Sequence, residues 1–119
     1  MSSNAWLARA AMCAAVSAWA LLGAHSARAA EHIVTIEGMQ FSPASVTAEA
    51  GDEIVWVNKD LVAHTATATG RFDSRTIEPG HRWRYVARAP GTYSYRCTLH
   101  PTMKATLIVE KGHERRNTK

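Results

Sequence analysis

The sequence predicts an all-β domain, a small Greek-key β-sandwich preceded by a cleavable signal peptide. Three observations carry this. Beyond the N-terminal segment, apolar and polar residues alternate in short runs, and turn residues such as Ala50-Gly51-Asp52, Glu78-Pro79-Gly80 and Ala89-Pro90-Gly91 punctuate them. No stretch of that region keeps a helical apolar period of useful length. A single sheet of this size would leave one apolar face in water, so two sheets packed face to face are required.

The chain of 119 residues opens with Arg9, an apolar run from Ala10 to Leu22, and then Ala27-Arg28-Ala29. A short alanine-rich run followed by a small-x-small triplet fits a secretory signal cut after Ala29, so residues 1–29 read as a leader. The run is shorter than the roughly 20 apolar residues needed to cross a bilayer, and no stable membrane insertion is expected after cleavage. The domain then occupies residues 30–110. Its expected strands are His32–Glu37, Ser45–Glu49, Glu53–Asn58, His64–Thr67, Thr76–Ile77, His81–Ala87, Thr92–Cys97 and Lys104–Glu110. Pro79-Gly80 and Pro90-Gly91 each pair a fixed φ with a residue that tolerates positive φ, as a type II turn requires. In His81–Ala87 alternation turns Trp83, Tyr85 and Ala87 inward and Arg82, Arg84 and Arg88 outward. Trp56 reads as core, as does Met39, and His81 and His113 as surface residues. Residues 111–119, Lys-Gly-His-Glu-Arg-Arg-Asn-Thr-Lys, lack apolar side chains and read as a flexible basic tail.

Removing the leader takes Arg9 and Arg28, and leaves twelve Lys and Arg against ten Asp and Glu. That mild field, with the aromatic rings facing away from the arginines, gives no nucleic-acid footprint, since RNA binding needs rings and cations on one surface. The leader also takes Cys13. Cys97 is left without a disulfide partner in a chain bound for an oxidising compartment, where a lone thiol is either buried and inert or held by a metal.

Cys97 opens the stretch Cys-Thr-Leu-His-Pro-Thr-Met. Strand parity puts Tyr93, Tyr95 and Cys97 on one face, and Met103, Ala105, Leu107 and Val109 on another apolar face, so Cys97 and Met103 both aim inward. His100 lies midway in the loop between two converging strand ends. His64, after the Asn58–Ala63 loop, is the candidate fourth ligand, because loops at one end of a sandwich cluster in space. One thiolate, two imidazoles and a thioether suit copper cycling between Cu(I) and Cu(II), whereas zinc prefers a stronger fourth donor than a thioether.

These residues resemble the cupredoxins, in particular the small bacterial type 1 blue copper proteins with an amicyanin-like ligand loop. The resemblance runs through GMQFSP, VTAEAGDEIVWVNKD, AHTAT, FDSRTIEPG, APGTYSYRC and the short Cys-x₂-His-x₂-Met loop. It implies a Greek-key sandwich with one copper ion near one end, ligated by His64, Cys97, His100 and Met103. Leu99 and Thr102 stand where amicyanin-like loops usually carry Pro and Phe. Thr65 stands where many relatives carry an Asn that ties the two ligand segments, so a shorter hydroxyl must make that tie or leave it undone.

The function expected is that of an exported, periplasmic, monomeric electron-transfer protein passing electrons between redox partner proteins. Copper sequestration or delivery is the alternative. An enzyme is not expected, because catalysis needs an open coordination position or a second copper, and no further His-rich cluster would hold one. Cleavage after Ala29 would also leave Ala30-Glu31-His32, a free amine with His in third place, which can chelate Cu(II) in a square plane. His32 as the start of the first strand is the competing reading.

Overall fold

The computed structural model describes residues 29–112. The expected leader therefore lies outside the described residues except for Ala29, and so do the tail beyond Gly112 and His113. Among the described residues nine strands form two sheets: β1 (Glu31–Glu37), β2 (Gln40–Ser42), β3 (Ser45–Glu49), β4 (Glu53–Asn58), β5 (Thr67–Ala68), β6 (Phe72–Asp73), β7 (Arg82–Val86), β8 (Gly91–Arg96) and β9 (Lys104–Glu110). One sheet has the order β2-β1-β4-β7 and the other β3-β9-β8-β5-β6. The pairs β1/β4 and β3/β9 are parallel, and the remaining pairs are antiparallel. The expected sandwich is therefore present. No helix among the described residues is long and apolar enough to cross a membrane.

Alternation builds the core as the sequence requires. Val34 and Ile36 of β1 and Ile54 and Trp56 of β4 meet Tyr95, Ala105, Leu107 and Val109 from the opposite sheet. Trp56 sits among Phe72, Trp83 and Tyr95, with ring centroids 5.4–5.5 Å apart, the spacing aromatic pairs favour. Outside, Arg84 reaches across β4 to Glu53 at 3.2 Å and Glu31 at 3.1 Å.

Four expectations need correction. Met39 is not core: it is 43% exposed with φ 60°, because Gly38 and Met39 form a two-residue hairpin turn with both φ values positive. The run His64–Thr67 is not one strand; His64 makes an isolated bridge with Ile77, and the ladder begins only at Thr67. Thr76–Ile77 likewise contributes that bridge alone. Pro79-Gly80 does form the expected turn, with Gly80 at φ 79° and the His81 N–H donating to the Glu78 carbonyl at 3.0 Å. Gly91 instead opens β8 at φ 154°, and the Tyr93 hydroxyl donates to the Ala89 carbonyl to pin that corner.

Candidate metal centre

The loops after β1, β4 and β8 meet at one end of the sandwich. The loop after β4 is organised by Asn58, fully buried, whose Nδ2 donates to the carbonyls of Val62 and Ile77, each at 2.9 Å. Its Oδ1 accepts the Asp60 N–H at 3.0 Å. These bonds deliver His64 to the interior, where the bridge to Ile77 fixes its backbone on both sides. The loop after β8 closes on itself, since the Cys97 N–H donates to the Met103 carbonyl at 3.1 Å and the Met103 N–H to the His100 carbonyl at 2.9 Å.

His64 and Cys97 are both 0% exposed, and His100 is half-buried. Cys97 Sγ lies 3.7 Å from His64 Nδ1 and 3.7 Å from His100 Nδ1, and the two ring nitrogens are 3.2 Å apart. Among the described residues this is the one such grouping of donor atoms. Two donors held by one ion at about 2.0–2.3 Å and about 100–120° apart lie roughly 3.1–3.8 Å from each other. The three donors thus have the separations of an open trigonal plane around one ion. The structure thus brings together His64, Cys97 and His100, and Met103, 3% exposed, stands at the end of the same loop.

The donors are held by neighbours, one of which the sequence reading missed. Asp60 Oδ2 lies 2.7 Å from His64 Nε2, which leaves Nδ1 as the nitrogen facing Cys97. The same carboxylate accepts the N–H groups of Gly38 at 2.7 Å and Met39 at 3.0 Å. Burial pushes the Asp60 carboxyl up, but the Met39 and Gly38 N–H groups and the His64 ring outweigh it and hold the group below its ordinary range. The available signal was an aspartate four residues before a ligand histidine. Thr65 does make the tie that its short side chain left open. Its N–H donates to Cys97 Sγ at 3.3 Å, and its hydroxyl accepts the Thr98 N–H at 2.9 Å while lying 3.1 Å from the Thr98 hydroxyl.

Comparison with known proteins agrees with this geometry. The signature of the cupredoxin-like domain matches residues 10–109. Amicyanin-alpha of Methylorubrum extorquens is 32% identical over 103 residues, covering 82% of this chain and 87% of that protein. The amicyanin of Paracoccus versutus is 29% identical over 84 residues, 66% of this chain and 64% of that protein. A solved mutant of amicyanin in the Cu(I) state superposes with a TM-score of 0.63 at 22% identity, over 67% of this chain and 82% of that one, a likeness of fold.

Proposed function

We infer the function from family and site together: this chain belongs to the cupredoxin-like family, and it is an exported electron carrier that cycles one copper ion between Cu(I) and Cu(II). The observation that carries the reading is the buried triangle of Cys97 Sγ, His64 Nδ1 and His100 Nδ1 with sides of 3.7, 3.7 and 3.2 Å. Copper would be held by Cys97 as the thiolate, His64 and His100 as imidazoles and Met103 as a weak thioether donor. Copper bound there supplies the one-electron couple, with a thiolate bond that gives intense visible absorption.

The residues around the site divide the labour. Asp60 orients His64 and fixes which of its ring nitrogens faces Cys97, as carboxylate partners of ligating imidazoles do. The Thr65 N–H donates to the Cys97 sulfur and the Thr65 hydroxyl fixes the Thr98 backbone, so the thiolate and His64 keep one spacing. His100 is the exit for electrons, because it alone of the two histidines reaches the surface, beside Leu99 at 53% exposure. Donors locked by backbone bonds favour carriage over handover, since release would require the loop after β8 to open. With four donors in place, no coordination position is left for a substrate, and the protein acts as a carrier rather than an enzyme.

Export to the periplasm, by cleavage of residues 1–29, and redox partner proteins that dock near His100 complete the proposal. The test is the spectrum of the copper-loaded protein. The Cu(II) form should show an intense visible band and a type 1 EPR signal, both lost in Cys97→Ser because an alcohol does not replace the thiolate. An unchanged band in that variant would overturn the assignment, and loss of copper on each redox cycle would favour the storage or delivery reading instead.

A further inference from the structure

We propose that Ala30 is the N-terminus of the exported protein and that its α-ammonium docks on the Asp52 carboxylate alongside the His32 ring. The inference rests on the export reading above, with its cut after Ala29, and adds to it a structural consequence of cutting there. Ala30 N lies 3.0 Å from Asp52 Oδ1, and His32 Nε2 lies 2.9 Å from Asp52 Oδ2. The Glu49 N–H donates to the same Oδ2 at 2.9 Å. One carboxylate thus gathers the first backbone nitrogen of the domain, an imidazole and a turn amide.

The receptor is rigid and the bond to be cut is accessible. The Asp52 N–H donates to the Glu49 carbonyl at 2.9 Å, and the Asp52 carbonyl accepts the Ala87 N–H at 2.9 Å, so its backbone is fixed on both sides. The Ala30 carbonyl accepts the Glu53 N–H at 2.9 Å, and β1 begins at the next residue, paired Glu31 to Glu53. Asp52 is buried, whereas Ala29 and Ala30 are exposed. In the longer chain Ala30 offers one neutral N–H. After hydrolysis of the Ala29–Ala30 peptide bond, in which water adds to give the Ala29 carboxylate and the Ala30 amine, the same nitrogen is an ammonium with three N–H donors. Charge-assisted hydrogen bonds are roughly twice as strong as neutral ones. A cut before Ala29 would leave this nitrogen a neutral peptide amide, and a cut after Ala30 would remove it.

The same geometry opposes a square-planar Cu(II) chelate at Ala30-Glu31-His32. That chelate needs the amine, two deprotonated amides and the His32 ring around one ion. Here the ring is held by Asp52, and Glu31 and His32 are paired with Glu53 and Ile54 in the ladder.

The experiment begins with the mass of the N-terminal peptide of the exported, copper-loaded protein, expected to start at Ala30. Thermal unfolding then compares this protein with the same protein acetylated selectively at its α-amine. Acetylation should lower Tm by about 4–8 °C, the shift typical of a modest loss in a domain of this size. In Asp52→Asn the two forms should unfold at the same temperature. Should that variant fail to fold, titration of the α-amine by NMR decides: its pKa should lie above the ordinary value of about 7.7–8.0 in the native protein and return to it in denaturant. Equal Tm for both forms, an unshifted amine, or a second non-blue Cu(II) equivalent bound at the N-terminus would overturn the docking. Export with cleavage at another bond would overturn the docking alone, whereas protein that keeps its first 29 residues would remove the export reading as well.

Discussion

Asp60 holds together groups that are far apart in the chain, the Gly38–Met39 turn and the His64 ring, with one carboxylate. A neutral amide in its place would withdraw negative charge from Nε2 and make the imidazole a weaker donor, which penalises Cu(II) more than Cu(I). Asp60→Asn should therefore raise the reduction potential and weaken Cu(II) affinity by about 10–100-fold, as loss of such partners typically does. Voltammetry and competition with a chelator measure both, and a lowered potential would contradict the role. The ligands themselves were legible because Cys97, His100 and Met103 recur at intervals of three and strand parity turns Cys97 and Met103 inward. Asp60 was not, because an aspartate after Asn58-Lys59 reads equally well as an ordinary turn residue, and only the fold brings the hairpin tip to it.

At the level of elements, the hairpin between β1 and β2 carries a cost that can be removed. Met39 sits at φ 60°, where a side chain is disfavoured by roughly 1–2 kcal/mol, and glycine gives back about 0.5–1 kcal/mol of that through its greater chain entropy. Met39→Gly should therefore stabilise the fold slightly, raising Tm by a few degrees, on the order of 2–5 °C. A fall in Tm would show that the exposed thioether makes contacts worth more than the backbone strain. This hairpin was invisible to sequence reading because β2 has only three residues and runs into Pro43, and β6, with two residues, was missed for the same reason of length. Runs of five or more residues were placed to within about one or two residues, since in them alternation repeats often enough to fix the face. The split of His64–Thr67 has a different cause: His64 must turn its ring into the site, and the regular ladder resumes only after it.

For the whole molecule, acid is the condition that tests the buried Asp52 and the half-buried Asp60 together. Burial pushes Asp52 up, but the His32 ring and the N–H groups of Glu49 and Ala30 outweigh it, so Asp52, like Asp60, titrates below its ordinary value in the folded chain. The unfolded chain then binds more protons in the window below about pH 4. The stability these groups contribute is complete above the unfolded-state value of about 3.9 and is lost as pH falls through the lower folded-state values. Chemical denaturation between neutral pH and pH 2 should show this decline, and Asp52→Asn should flatten part of it. A profile identical in the variant would remove Asp52 from the account. The two-sheet arrangement was legible from alternation and turn spacing. The parallel pairing of β1 with β4 and of β3 with β9 was not, because it joins strands separated by other elements and leaves no local mark in the sequence.

The rims of the two sheets complete the picture. One sheet ends in β2, three residues long, and in β7, which carries Arg82 and Arg84; the other ends in β6, two residues long, and in β3. Two copies brought together along β7 would set arginine against arginine, and β2 or β6 offers too few backbone groups to template another strand. A carrier that must diffuse among crowded copies of itself is thereby guarded at three of its four sheet edges against strand-to-strand stacking into fibrils.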